Sequence, residues 1–141
     1  MRTRSTRLIR LALALLLASV VALTACGGGD ETDAKGGERP TTTARLRIVQ
    51  PTANQVTGPN VQLQLELTGG EVVSRTAGAL TATEGHIHVT VDGELVSMAY
   101  GTEQELTDLE PGTHSVQAEF VALDHAPFEN RVIAVVLFTV R

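Results

Sequence analysis

GHIHVTVDG, residues 85–93, decides how the rest of the chain is read. Ile87, Val89 and Val91 alternate with His86, His88 and Thr90, a period of two that predicts a half-buried β-strand. Asp92-Gly93 is a two-residue hairpin signal that turns the chain back on itself. The valine side must be the dry one, so His86 and His88 are expected to point outward, ~6.5–7 Å apart along the strand. Two readings of that pair stay open: a metal clamp, or two rings that face water.

The same period recurs on either side. Val61, Leu63, Leu65 and Leu67 alternate with Gln62, Gln64, Glu66 and Thr68. Val116, Ala118 and Phe120 share one face of a strand from His114 to Leu123, and Val132–Val140 is apolar on both faces, which predicts a central or doubly covered strand. Arg47–Gln50 opens as an edge strand stopped by Pro51, and Leu106 and Leu109 mark another short one. Residues 71–84 are the hardest to read and are taken as a long loop, with a short strand as the alternative. No 3.6-residue apolar stripe of useful length appears. About seven short strands parted by turns predict an all-β chain folded as a β-sandwich. Aromatic residues are only 3% of the chain, so the core is expected to be aliphatic around Phe120, Phe128 and Phe138, with Tyr100 as a further candidate.

The beginning of the chain has a different composition. Arg2, Arg4, Arg7 and Arg10 precede an apolar run from Leu11 to Ala25, short of the ~20 residues that span a bilayer comfortably. It ends in Leu23-Thr24-Ala25-Cys26, which resembles the bacterial lipobox. That resemblance implies a diacylglyceryl group on the Cys26 sulfur, cleavage before Cys26 and a lipid anchor in the cell membrane facing outside the cytoplasm. The other reading is an uncleaved anchor carrying a stray thiol. Loss of the four arginines takes the net charge from −5 to −9, which argues against nucleic acid and anionic lipid headgroups as partners. Cys26 is the sole cysteine, so no intrachain disulfide can form. Residues 1–25 are thus expected to be a lipoprotein signal peptide. Residues 26–45, rich in glycine, threonine and charge, are expected to be a flexible linker, and residues 46–141 the folded domain.

LEPGTHSVQAEF at 109–120 and HVTVDGELV at 88–96 resemble the corner and the hairpin of bacterial immunoglobulin-like domains. GHIHVTVDG with PGTH and DHAPF is also similar to a group of secreted actinobacterial lipoproteins, a likeness that brings no activity with it. The fold implied is an immunoglobulin-like β-sandwich, and fold alone does not fix function.

Strand parity places the other histidines. His114 is in phase with Val116 and is expected to point inward as a structural corner residue, a role that tyrosine often fills in sandwiches. His125 ends the His114 strand. If that strand lies antiparallel to the His86 strand, His125 reaches the same rim as His86 and His88, with Asp124 beside it. Three imidazoles and a carboxylate suit Cu²⁺ or Zn²⁺. Met98 is tempting as a soft ligand, but a simple two-residue hairpin pairs it with Ile87 on the core side. A copper–zinc superoxide dismutase is disfavoured, because such sites use more than four histidines and the fold carries a disulfide. No G-x-S-x-G elbow and no phosphate loop is present. The sequence is therefore read as a non-catalytic, extracytoplasmic binding or accessory module with an unknown protein or small ligand. The alternative is a copper- or zinc-binding lipoprotein using His86, His88, His125 and Asp124.

Overall fold

The computed structural model describes residues 38–141. The signal segment, Cys26 and the linker up to Gly37 lie outside the described residues.

Among the described residues nine strands follow in chain order: β1 (Arg45–Gln50), β2 (Val56–Thr57), β3 (Val61–Thr68), β4 (Glu71–Val72), β5 (Glu84–Val91), β6 (Glu94–Ala99), β7 (Glu103–Leu106), β8 (Gly112–Ala122) and β9 (Pro127–Val140). They form a three-stranded sheet, β1-β3-β7, and a six-stranded sheet, β2-β9-β8-β5-β4, with β6 also paired to β5. The described residues form an all-β, immunoglobulin-like sandwich.

Alternation builds the core. Val61, Leu63 and Leu65 of β3 face Ile87, Val89 and Val91 of β5 together with Val116, Ala118 and Phe120 of β8. Burying such a side chain contributes roughly 1.5–3 kcal/mol. Phe120 stacks on Phe128 with ring centroids 5.2 Å apart, and both are all but inaccessible to solvent.

At the hairpin, Asp92 and Gly93 both take positive φ, 52° and 89°. That is the requirement of a type I′ turn, whose twist matches the strands it joins. The ladder does not then run straight. Thr90 pairs with Leu95 but Val89 pairs with Ser97, so Val96 is an extra residue in a β-bulge. Beyond it the register is shifted by one, which puts Ala99 opposite Ile87 and Met98 opposite His88. The expected pairing of Met98 with Ile87 is therefore corrected. Met98 lies on the outer face, and it is 51% exposed.

Two further expectations are revised. The folded domain begins before residue 46: Thr42 and Ala44 are buried, and Thr42 exchanges two hydrogen bonds with the Asn130 side chain, 2.8 and 2.7 Å. Residues 38–45 are thus part of the domain rather than of the linker. Strand β9 is not covered on both faces either. Phe138 and Val140 are buried, whereas Val135 and Leu137 on its other face are 58% and 52% exposed. Its neighbours are β8 on one side and the two-residue β2 on the other, so apolar content here marks an open face.

Candidate functional site

The outer face of the six-stranded sheet gathers three of the four histidines at one end. Strands β5 and β8 are antiparallel, pairing Gly85 with Ala122 and His88 with Glu119. The β8–β9 loop therefore folds over the start of β5. His125 sits in that loop with φ 61°, a left-handed conformation unusual for a residue with a Cβ. Its ring packs against both others. The His125 and His86 centroids are 4.4 Å apart with planes 24° from parallel, and those of His125 and His88 are 5.4 Å apart at 18°. His88 Nε2 and His125 Nδ1 are 3.2 Å apart and share one hydrogen bond.

His86 does not face water, which corrects the parity argument. It is fully buried on the outer face. Its Nε2–H donates to the carbonyl oxygen of Arg75 at 2.9 Å, and Tyr100 meets its ring edge-to-face at 5.2 Å. The cover includes Arg75, in the loop that resisted interpretation, together with Tyr100 and His125. The other ring nitrogen, Nδ1, is buried with no partner among the described residues. Such orphaned groups are rare in folded proteins.

His88 is half-buried. Burial lowers its pKa below the ordinary value of 6.5, helped by the neighbouring His125, while Glu119 opposes the shift. Glu119 is itself buried and bound on both oxygens by Arg131, 2.7 and 2.6 Å.

Asp124 is not aimed at the imidazoles. Arg39 takes both its oxygens, 2.6 and 3.0 Å, and donates to the carbonyls of Ala126 at 2.8 Å and Pro127 at 2.7 Å. The hydrogen bonds from Arg39 hold the Asp124 carboxyl below the usual carboxylate range. The four-ligand set read from the sequence is thus not assembled. Among the described residues, no three histidine, cysteine, aspartate or glutamate side chains converge as a metal cage.

His114 lies at the far end of β8. Its Nδ1 meets Asp92 Oδ2 and its Nε2 meets the Glu110 carbonyl, each at 2.7 Å. Two acceptors favour a ring with two N–H groups, so its pKa is raised, chiefly by the Glu110 carbonyl and then by Asp92. The other Asp92 oxygen accepts from Ser115 N at 2.8 Å, and that bond leads in lowering the Asp92 pKa. The ring joins the hairpin turn to the start of β8, apart from the other three histidines.

Sequence reasoning discounted Met98, offered Tyr100 to the core although it is 53% exposed, and missed Arg39. Met98 and Tyr100 reach the histidine face only because of the bulge at Val96, which leaves no mark in the hydrophobic pattern. Arg39 was assigned to the linker.

No protein-family model matches the chain, and no curated protein matches it. Three solved structures are similar in shape. Fibronectin(III)-like modules of Clostridium thermocellum CbhA align over 67% of this chain and 93% of theirs, with TM-score 0.49 and 16% identity. A human PKD domain aligns over 75% and 88%, with TM-score 0.45 and 13% identity. A CARDB domain from Pyrococcus furiosus aligns over 72% and 96%, with TM-score 0.41 and 16% identity. The architecture rests on the strand pairing itself.

Proposed function

We propose that the protein is a lipid-anchored, extracytoplasmic module that binds or assists and does no chemistry of its own. One observation carries the non-catalytic part. Four of the side chains suited to acid–base work are tied to structural partners: Asp124 to Arg39, Glu119 to Arg131, Glu84 to Arg75, and His114 to Asp92 and a backbone carbonyl; His88 and His125 are bonded to each other. A general base must instead be free to reach a substrate proton.

The surface such a module presents is the outer face of the six-stranded sheet. Exposed Ile133, Val135 and Leu137 stand on β9, and exposed Met98 and Tyr100 on the β6 side. Open apolar surface of this kind is characteristic of contact sites. The anchor is supported by Leu23-Thr24-Ala25-Cys26 after an apolar run, and two acyl chains hold a protein at a bilayer where one does so only marginally.

The test is lipid labelling and membrane fractionation of Cys26→Ser. The variant is expected to take up no labelled fatty acid and to leave the membrane pellet or remain unprocessed. Wild-type labelling of the variant would remove the anchor from the proposal.

A further inference from the structure

We propose that the hydrogen bond between His88 and His125 is an acid-operated latch: when both rings become charged, the His125 ring turns away from His86 and opens the rim of the six-stranded sheet. This regulation goes beyond the module reading. It rests on the described residues alone, so its failure leaves the anchor untouched.

The contact between the rings has room for one proton. His88 Nε2 and His125 Nδ1 are 3.2 Å apart. The ring planes differ by only 18° with centroids 5.4 Å apart, so the two nitrogens meet edge to edge. One of them must carry the hydrogen while the other offers its lone pair. A first added proton can settle on the far nitrogen of the donor ring and leave the bond in place. A second has only the accepting nitrogen to go to. Two N–H groups then point at each other across 3.2 Å, on two rings of like charge.

Among the described residues, the carboxylates around the stack are already taken. On β8, Glu119 is held on both oxygens by Arg131 of β9. On β5, Glu84 is paired with Arg75. In the β8–β9 loop, Asp124 is paired with Arg39, which Glu129 also attracts. Met98, opposite His88 on β6, is neutral, and Tyr100 just beyond it meets His86 edge-to-face. His86 lies 4.4 Å from His125, fully buried, with its Nε2–H committed to the Arg75 carbonyl. In keeping with these surroundings, burial and then His125 hold the His88 pKa below 6.5 against the pull of Glu119.

The backbone decides what moves. Arg39 binds Asp124 and the carbonyls of Ala126 and Pro127, and Leu123 is buried. The Arg39 and Asp124 charges persist where histidine titrates, since each pKa is shifted further from that range. The loop therefore stays fixed, and the repelled group is the His125 side chain, which is already partly exposed. Its departure uncovers the ring of His86 beside exposed Met98 and Tyr100. The acid form thus presents a different face from the neutral one.

The experiment uses the full chain in detergent with EDTA, so that protons alone are titrated. NMR reads the protonation of each imidazole from its nitrogen shifts, and the closeness of His86 and His125 from the cross-peak between their ring protons. From about pH 7.5 to 5, a range that brackets the ordinary histidine value, that cross-peak is expected to be lost as the His88–His125 pair takes its second charge. Signals from Ile87 and Phe120 in the core are expected to stay in place. His88→Gln keeps an amide near the Nε2 position that donates or accepts and carries no charge. In that variant the cross-peak is expected to persist throughout. A wild-type cross-peak that survives with both rings charged overturns the proposal, whether or not the variant folds. So does a wild-type pair that takes no second charge before the domain unfolds or the pH reaches about 5. Loss of the cross-peak at the same pH in a folded His88→Gln overturns it too.

Discussion

Gly85 and Val121 stand so close across β5 and β8 that a Cβ on Gly85 would lie 2.0 Å from the Val121 carbonyl oxygen. The obstacle is backbone, which cannot swing aside as a side chain can. Gly85→Ala must therefore break the ladder beside His86 or displace β8. A loss of about 3 kcal/mol or more is expected, as for severe overpacking. Urea unfolding with midpoint and slope both recorded checks it, and a loss below about 1 kcal/mol contradicts the contact.

The backbone at His125, φ 61°, ranks its substitutions. Asparagine tolerates the left-handed region and a β-branched residue does not. Both remove the ring, so the comparison isolates the backbone. His125→Val is expected to be less stable than His125→Asn by about 1–3 kcal/mol, measured by chemical denaturation; equal stabilities would mean that the loop relaxes freely.

His114 sets a pH dependence. Its pKa is raised above 6.5 in the folded chain, so folding favours the protonated ring. The stability this contributes is complete below pH 6.5 and is lost as pH rises through the folded value. The melting temperature of the wild type should therefore fall relative to His114→Gln as pH climbs from about 6 to 8. A constant difference between the two across that range would show that the ring is not selectively protonated in the fold.

The two faces of β9 make a paired test. Val135 is 58% exposed and Val136 only 9% exposed. Val135→Lys is expected to change stability by no more than about 0.5 kcal/mol, whereas Val136→Lys places an unpaired charge in the core and should unfold the domain. Circular dichroism and thermal melts distinguish them. Unfolding by Val135→Lys would mean that this face is covered.

Removing Arg39 tests where the domain starts. Arg39→Ala leaves Asp124 and two loop carbonyls without their donor, and charge-assisted bonds of this kind are worth roughly 1.5–3 kcal/mol each before solvent screening. Because Arg39 and Asp124 are partly exposed, 29% and 42%, the net loss is expected nearer 1–2 kcal/mol. Faster amide exchange should be confined at first to residues 122–127. Unchanged exchange there would return Arg39 to the linker.

The sandwich was legible because alternation reports which face is dry, and β3, β5 and β8 as far as Phe120 keep that alternation in sequence. The turn at Asp92-Gly93 was legible because few other pairs accept positive φ twice. Three features were not. The bulge at Val96 changes register without changing composition. His86 obeys the parity of an outer-face residue, yet it is sealed by a loop whose path no local pattern encodes. Apolar residues on both sides of β9 cannot say whether anything lies above them. Of the candidate site, the meeting of His125 with His86 and His88 followed from antiparallel order, while the diversion of Asp124 to Arg39 needed a contact spanning 85 residues.

The Arg39 clamp has a mechanical consequence. A pull on the N-terminal end of the domain reaches the fork at Asp124, Ala126 and Pro127 before it reaches the β1 ladder. Tension would load the β8–β9 loop first and tug on the backbone that carries His125. Force applied from that end would thus loosen the imidazole stack while both sheets stayed intact.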